Sequence, residues 1–213
     1  MRSRRYGERD VLVDVAGVLA AHALASRTVD LPGVVDVVPA ARTLLVRCAD
    51  EATASALAAR LADEEEPAAG PPAPGREVVV EVVYDGKDLA VVAATAGLTT
   101  AEVVARHTGA TYRADFTGFA PGFVYLSGLD PVLATPRLAT PRTRVPAGAV
   151  ALAADMTAVY PRSSPGGWNL LGRTDAVLFD LSRPRQALIE PGDTVRFAAV
   201  ADGGRAGGGR GMA

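Results

Sequence analysis

The sequence predicts an α+β protein of two parts, an N-terminal α/β subdomain followed by a closed or nearly closed β-barrel. Two observations predict it: the order of patterned segments before residue 70, and the short β-compatible runs that begin at Thr111. Between Pro67 and Gly75, the stretch PAAGPPAPG has the composition of a linker. The predicted domains are residues 1–70 and 76–200, and the glycine-rich residues 201–213 are a predicted disordered tail.

The N-terminal part is predicted to follow the order β-α-β-β-α, most of the split βαβ unit of ferredoxin-like folds. Apolar alternation predicts a strand over Arg9 to Val15, and Val18 to Arg27 has the pattern of a short helix. Two further strands are predicted over Val34 to Pro39 and Thr43 to Cys48. Glu51 to Glu66 is rich in Ala and Leu, which favour a helix.

The second part opens with a β-branched run from Glu77 to Tyr84, and the apolar run from Lys87 to Ala96 is compatible with a helix. Thr99 and Glu102 have the spacing of a capping box, which predicts a helix from Thr100 to His107. Short β-compatible runs then alternate with turns: YRADFTGF, FVYLSGL, AVALAA, AVYP, NLLGRT, AVLFDL, ALI and TVRFAAV. This alternation is typical of a barrel.

Composition narrows the class of protein. A hydrophobic content of 49% is sufficient for a packed core, and a formal charge of -2 argues against a general binder of nucleic acid. No segment has the length of a membrane span or the pattern of a signal peptide, so we expect a cytoplasmic protein without membrane contact. Cys48 is the only cysteine and lies in an apolar alternation, which predicts a small buried side chain.

Several kinds of self-contained site are excluded by their missing motifs. The chain has no GxxxxGK[ST] phosphate loop, no GxGxxG, no HExxH and no pair of cysteines, so we predict neither a metal site nor a complete nucleotide site. A Ser-His-acid triad would need His22 or His107, and no GxSxG elbow occurs. His107 is the best titratable candidate for catalysis, with a satisfied structural histidine as the alternative.

The richest candidate region runs from Phe116 to Asp180, where Gly and Pro recur among arginines and aromatics. Such a framework is rigid and suits an anionic ligand or a docking surface. Arg137 and Arg142 repeat in TPRLATPR and could bind a carboxylate if both faced one cavity. Alternatively, they clamp backbone carbonyls or pair with acidic residues, for which the candidates are Asp115, Asp130 and Asp155.

A second group of candidates surrounds the SPGG turn. Tyr160, Trp168 and Arg173 flank Gly166 and Gly167, whose backbone amides could face a ligand. The alternatives are a plain turn and a core anchor at Trp168, the only tryptophan. The nearby aromatics of GFAPGFVYL, which are Phe119, Phe123 and Tyr125, are expected to lie partly in the core.

The same regions carry a family resemblance. The motifs are LPGVVDVVPA at 31–40, DLAVVAATAGLTTAEVVARHTGATY at 88–112, GFAPGFVYL at 118–126, TPRLATPR at 135–142, VPAGAV at 145–150, YPRSSPGGWNLLGRT at 160–174, LFD at 178–180 and PGDTVRF at 191–197. On these motifs the chain resembles the allophanate-hydrolase-subunit-1 family, also described as carboxyltransferase subdomains C and D. In particular, it is similar to the B subunits of bacterial 5-oxoprolinase, over nearly its whole length.

The resemblance implies a cyclophilin-like fold for the barrel and a place in a cytosolic complex. The partners would be a second carboxyltransferase-like subunit and a lactam-utilisation-type subunit. Together they would use ATP to open 5-oxoproline to glutamate, through phosphorylation of the amide and hydrolysis of the acyl phosphate. Because the chain has no phosphate loop, we expect it to be inactive alone and to supply part of a shared site. His107, Arg137, Arg142 and the SPGGW turn would line that site.

Other functions stay open within the same resemblance. Relatives in spore-forming bacteria inhibit a sensor histidine kinase, and fused relatives form the carboxyltransferase domains of urea carboxylases. This chain has no Met-Lys-Met for biotin attachment, so any biotin would belong to another polypeptide. It also departs from the family where Val124 replaces the usual proline, and where 148–158 lacks the usual glycines. Side chains enter positive φ only at a cost, so we expect a reshaped rim there.

Overall fold

A computed structural model describes residues 1–67 and 75–202. Most of the predicted linker and nearly all of the predicted tail lie outside these residues. The chain divides into two compact units, one formed by residues 1–75 with 115–118, and the other by residues 76–114 and the chain from 119 onward. The α+β class predicted from the sequence is confirmed.

The first unit is a four-stranded antiparallel sheet with two helices. Its elements are β1 (Arg2–Tyr6), β2 (Asp10–Asp14), α1 (Val18–Thr28), β3 (Val34–Pro39), β4 (Thr43–Cys48) and α2 (Glu51–Asp63), with strand order β1-β2-β4-β3. Alternate residues of β2 and β4, such as Val11 and Leu44, pack with Leu24 and Leu57 of the helices. Cys48 is buried in this core, as predicted.

Strand β1 is the element that the sequence did not predict in this unit. Its residues, RSRRY, show no apolar alternation, and the observed order is therefore β-β-α-β-β-α. The strand forms because all five residues pair with β2, after a turn in which Gly7 takes φ +69°. Ser3 further donates a hydrogen bond to the carbonyl oxygen of Ala58 in α2, at 2.6 Å. Backbone pairing stabilises this strand, and its side chains leave no periodic signal.

The second unit contains two helices and two sheets. Its elements are β5 (Glu77–Val82), α3 (Leu89–Ala96), α4 (Thr100–Gly109), β6 (Tyr112–Thr117), β7 (Val124–Ser127), a 3₁₀ turn (Pro131–Leu133), β8 (Arg142–Val145), β9 (Ala149–Ala153), β10 (Met156–Val159), β11 (Ser164–Gly166), β12 (Asn169–Arg173) and β13 (Thr194–Ala199). Seven strands follow the order β12-β9-β10-β7-β6-β13-β5, and β8 pairs with β11 in a separate ladder.

The seven-stranded sheet is a nearly closed barrel. Just beyond β5, Val83 pairs with Arg173 at the end of β12, so the two edge strands of the sheet meet. Each residue donates its N–H to the other's carbonyl oxygen at 2.9 Å. Gly172 makes this approach possible, because a Cβ there would overlap the carbonyl oxygen of Val83. The predicted barrel is thus confirmed, and a single glycine lies at its closure.

The helices of this unit follow their local signals. The predicted capping box is present: Glu102 N–H donates to Thr99 Oγ1 at 3.2 Å, and Thr99 N–H donates to Glu102 Oε2 at 2.8 Å. Helix α3 ends at Gly97 in the left-handed conformation, with φ 68°. No single helix of the described residues is long and apolar enough to cross a membrane; α3 and α4 meet that test only together, across a 91° bend.

Two parts of the second unit differ from the sequence-based expectation, and a third segment shows an uncommon backbone conformation. AVLFDL and ALI are joined only by a bridge between Phe179 and Ala187, and form no regular strand. The ladder of β8 and β11 lies in segments whose Gly and Pro content indicated loops. In the segment 148–158, for which we predict a reshaped rim, Ala154 takes φ 52° in the turn between β9 and β10, a conformation that is uncommon for a non-glycine residue.

The closure of the barrel gives a test of stability. We expect Gly172→Ala to lower the free energy of unfolding by about 2–3 kcal/mol, because the methyl group would push the Val83 backbone away. Gly109→Ala is the matched control: it has open space around it at the end of α4, and should change stability by less than about 1 kcal/mol. Urea denaturation of the full chain measures both. Equal effects would show that the closure carries no strain.

Candidate functional site

Trp168 lies at the centre of the candidate surface, directly before β12. It is 5% exposed, and its ring meets Phe123 and Tyr125 edge-on, each with 5.7 Å between ring centroids. Phe123 in turn contacts Tyr160 at 5.4 Å. Trp168 is therefore a core anchor, and Arg137 lies over its ring.

Arg137 and Arg142 both reach Trp168, but through different groups. The Cζ atom of Arg137 lies 5.8 Å from the centroid of the indole ring, in cation–π geometry. Arg142 instead donates from Nη1 to the carbonyl oxygen of Trp168 at 3.4 Å. The structure thus brings the two predicted arginines to one aromatic residue, from the ring face and from the backbone.

Asp88 is the residue that sequence reasoning missed. It is 6% exposed at the start of α3, and its Oδ1 accepts from Arg142 Nη2 at 2.7 Å. Its Oδ2 accepts the backbone N–H of Leu170 in β12 at 2.7 Å. The sequence suggests three acidic partners for Arg142, and the observed partner is none of them: Asp115, Asp130 and Asp155. An Asp at a helix start signals a cap, yet this carboxylate makes no cap bond.

The Asp88–Arg142 pair is largely withdrawn from water, so its energetics differ from those of a surface ion pair. The Asp88 side chain is 8% exposed and the Arg142 side chain 26%. Removing one partner of such a pair costs about 3–5 kcal/mol when the remaining charge stays buried, and the exposed part of Arg142 reduces that figure. The pair therefore fixes the position of β8 relative to β12.

Tyr160 and Gly166 are in direct contact beneath this surface. Burial raises the pKa of Tyr160, and a hydrogen bond from the Trp168 backbone, together with the charges of Arg137 and Arg142, opposes that rise. A Cβ at Gly166 would overlap the Tyr160 hydroxyl. The neighbouring Gly167 has only ordinary contacts, 3.6 Å or more away. Of the two glycines predicted to matter, only Gly166 is required by a close approach.

The expectation that three nearby aromatics lie partly in the core is confirmed for Phe123 and Tyr125 and is wrong for Phe119. The side chain is 57% exposed, and the residue takes φ 62°, which is uncommon for a non-glycine residue. Its ring meets Phe123 at 5.2 Å and Tyr160 at 6.0 Å, both edge-on. The exposed aromatic therefore extends the same cluster to the surface.

His107 lies apart from this surface, in the interior of the second unit. It is fully buried, its ring stacks on Phe197 with 4.6 Å between centroids, and both ring nitrogens are hydrogen-bonded. Nδ1 lies 2.7 Å from the Tyr84 hydroxyl and Nε2 lies 3.0 Å from Thr157 Oγ1. Because Thr157 donates its own proton to the carbonyl oxygen of Ala151, Nε2 carries the ring proton and Nδ1 accepts from Tyr84.

Arg173, the remaining predicted site residue, lies at the barrel closure. Its Nε donates to Asp85 Oδ2 at 2.8 Å, and its Nη2 donates to Asp202 Oδ1 at 2.7 Å. These carboxylates raise the pKa of the Arg173 guanidinium. Among the described residues, Asp85 and Asp202 are the ion-pair partners of Arg173, so its side chain is engaged at the barrel closure and not at the surface around Trp168.

Comparison with known proteins identifies the family. The profile of the carboxyltransferase domain, subdomains C and D, matches residues 1–189. The chain belongs to this family. It is 42% identical, over 185 residues, to one of the 5-oxoprolinase B subunits, that of Escherichia coli O157:H7, and the match covers 84% of each chain. The similarity to 5-oxoprolinase B subunits suggested by the sequence motifs is thereby confirmed.

Several solved structures are similar to the chain over most of its length. A conserved uncharacterized protein from Pyrococcus horikoshii is 30% identical with a TM-score of 0.58, and the match covers 94% of this chain and 98% of that one. The urea amidolyase of Kluyveromyces lactis superposes with a TM-score of 0.75 at 16% identity, over 94% of this chain and 15% of that much longer one. The second match concerns the fold alone.

The buried histidine predicts a pH dependence of stability. Burial lowers the pKa of His107 to about 3, whereas an unfolded chain has a histidine pKa of about 6.5. Between these values the unfolded state binds a proton that the folded state does not. The free energy of unfolding is therefore highest above about pH 6.5, and below that pH it falls by about 1.4 kcal/mol per pH unit. We expect the difference in unfolding free energy between wild type and His107→Gln to narrow from about pH 7 to about pH 5, measured with urea. Parallel pH profiles would contradict this.

The two adjacent glycines give a matched pair of variants. We expect Gly166→Ala to displace the Tyr160 hydroxyl and lower the free energy of unfolding by about 2 kcal/mol, while Gly167→Ala should stay within about 1 kcal/mol of wild type. Because Trp168 is the only tryptophan, its emission reports the local change directly. A Gly167→Ala variant as unstable as Gly166→Ala would contradict the assigned contact.

Proposed function

We propose that this chain works as the B component of an ATP-dependent 5-oxoprolinase, a multi-subunit enzyme that opens 5-oxoproline to glutamate. The observation that carries the proposal is the 42% identity to the corresponding 5-oxoprolinase component of E. coli O157:H7, over 84% of both chains. The match of 185 residues is longer than either unit, so it extends across both. The similarity thus supports a shared activity in addition to a shared fold.

The proposal includes partners. The relative is named as a subunit, which supports an assembly with other 5-oxoprolinase subunits. We propose a second carboxyltransferase-like subunit and a lactam-utilisation-type subunit as those partners, with ATP used by the assembled complex. The sequence of this chain contains no phosphate-loop motif, in keeping with a division of the chemistry among subunits.

The contribution of this chain to the shared site is proposed to be the surface around Trp168. It combines exposed aromatic area at Phe119 with the cation of Arg137, supported from below by Tyr160 and Gly166. Aromatic and arginine side chains are enriched where proteins bind partners and ligands. An orienting surface of this kind suits substrate positioning, which is the part of catalysis that we propose for this chain.

We propose structural roles for two residues that the sequence had placed at the site. Both nitrogens of the His107 ring are engaged in the interior, so no lone pair or proton is directed at solvent. Proton transfer to a substrate requires hydrogen-bond reach of that substrate. Arg173 is engaged by Asp85 and Asp202 and holds the barrel closure.

The decisive experiment is reconstitution. The full chain, purified with the two proposed partner subunits, should form glutamate from 5-oxoproline with matching ADP release, and omission of this chain should abolish both. Inhibition of a sensor histidine kinase, the alternative from the sequence, is tested with the same protein by kinase autophosphorylation. A fully assembled complex that formed no glutamate would overturn the proposed function.

A further inference from the structure

Arg137 is held over Trp168 by contacts on both sides of it in the chain. The carbonyl oxygen of Pro136, just before it, accepts from Nδ2 of Asn169 at 2.9 Å. The N–H of Leu138, just after it, donates to the carbonyl oxygen of Gly167 at 2.8 Å. Peptide groups flanking the arginine are thus bonded to residues flanking the tryptophan. This double attachment fixes the backbone from which the guanidinium reaches the ring.

The two arginines at Trp168 differ in what remains available for a ligand. Arg142 uses Nη2 for Asp88 and Nη1 for a backbone carbonyl. Arg137 is exposed, and within the described part of the chain its only assigned side-chain contact is the indole ring. An aromatic ring carries no carboxylate or carbonyl acceptor, so a cation–π contact leaves the N–H donors of the guanidinium available for a ligand. Those donors form the fork that matches the two oxygens of a carboxylate.

Asn169 provides the support that makes this geometry specific. It is 1% exposed in β12, and its Nδ2 also lies 3.4 Å from the carbonyl oxygen of Leu152 in β9. The amide is therefore anchored in the barrel sheet and reaches out to the loop that carries Arg137. A rigid backbone reduces the conformational entropy that the arginine loses when a ligand binds.

We propose that Arg137 binds the carboxylate of the small-molecule substrate, that Asn169 is its positioning residue, and that Arg142 with Asp88 forms a structural pair. The identity of the substrate as 5-oxoproline rests on the proposed function. The carboxylate of 5-oxoproline lies next to the lactam that the enzyme opens. Binding it would orient the lactam without using any group that takes part in the chemistry.

The first test uses Trp168, the only tryptophan, as the reporter on the full chain alone. Titration with 5-oxoproline should change its emission, whereas 2-pyrrolidinone, the same lactam without a carboxylate, should change it at least about 10-fold more weakly. Arg137→Gln should abolish the response, and Arg196→Gln, which removes an exposed arginine of β13, should retain it. Inorganic phosphate serves as the competing anion.

Several outcomes would overturn the assignment. They are no response of the wild-type chain, an equal response to both lactams, a response retained in Arg137→Gln, and a phosphate response as strong as that to 5-oxoproline. None of these depends on turnover, so the carboxylate site can fail while the complex still forms glutamate. Conversely, a selective response of the chain, together with an assembled complex that forms no glutamate, would support the site and overturn the proposed function.

The second test separates positioning from structure in the reconstituted complex. Arg137→Gln should raise KM for 5-oxoproline by about 10- to 100-fold, the loss of hydrogen bonds to a charged group, with a smaller change in kcat and none in KM for ATP. Asn169→Ala should raise the same KM in the wild-type background. It should raise KM no further in the Arg137→Gln background, because its effect passes through that arginine. Additive effects would exclude Asn169 as a positioning residue.

Discussion

The buried carboxylate of Asp88 is the contact on which the candidate surface depends. One oxygen accepts the N–H of Leu170 and the other accepts from Arg142. A carboxylate with 6% exposure is tolerated only with such partners, since a buried unpaired charge costs several kcal/mol. The requirement fixes β8 and β12 relative to the start of α3. The carbonyl of Trp168, which Arg142 also contacts, lies within that fixed frame.

Glycine allows the backbone approaches that surround this contact. A Cβ at Gly86 would overlap the backbone of Leu170, one at Gly166 would overlap Tyr160, and one at Gly172 would overlap Val83. Each glycine thus lies where two segments come closer than a side chain permits. Gly167 is not constrained in this way, although it is the neighbour of Gly166 in the sequence. High glycine content in a region therefore does not identify which glycines are required.

Burial separates the polar residues of the second unit into two kinds. His107 lies inside with a complete set of hydrogen-bond partners, which keeps the imidazole neutral and adds to the stability of the fold near neutral pH. Arg137 is exposed, and its charge lies over an aromatic ring. Both residues attract attention in the sequence, and only their surroundings distinguish a core residue from one that can meet a ligand.

The sequence by itself determined the α+β class, most helices and strands, the capping box at Thr99 and the family, because these depend on local periodicity and on ordered motifs. Only the tertiary structure decided that Arg142 pairs with Asp88, 54 residues away, and that β1 and the β8–β11 ladder exist. Ion-pair partners and irregular strands depend on which distant segments meet and in which register. Such long-range contacts are fixed by burial and by backbone hydrogen bonding in the folded chain, and no local sequence pattern predicts them.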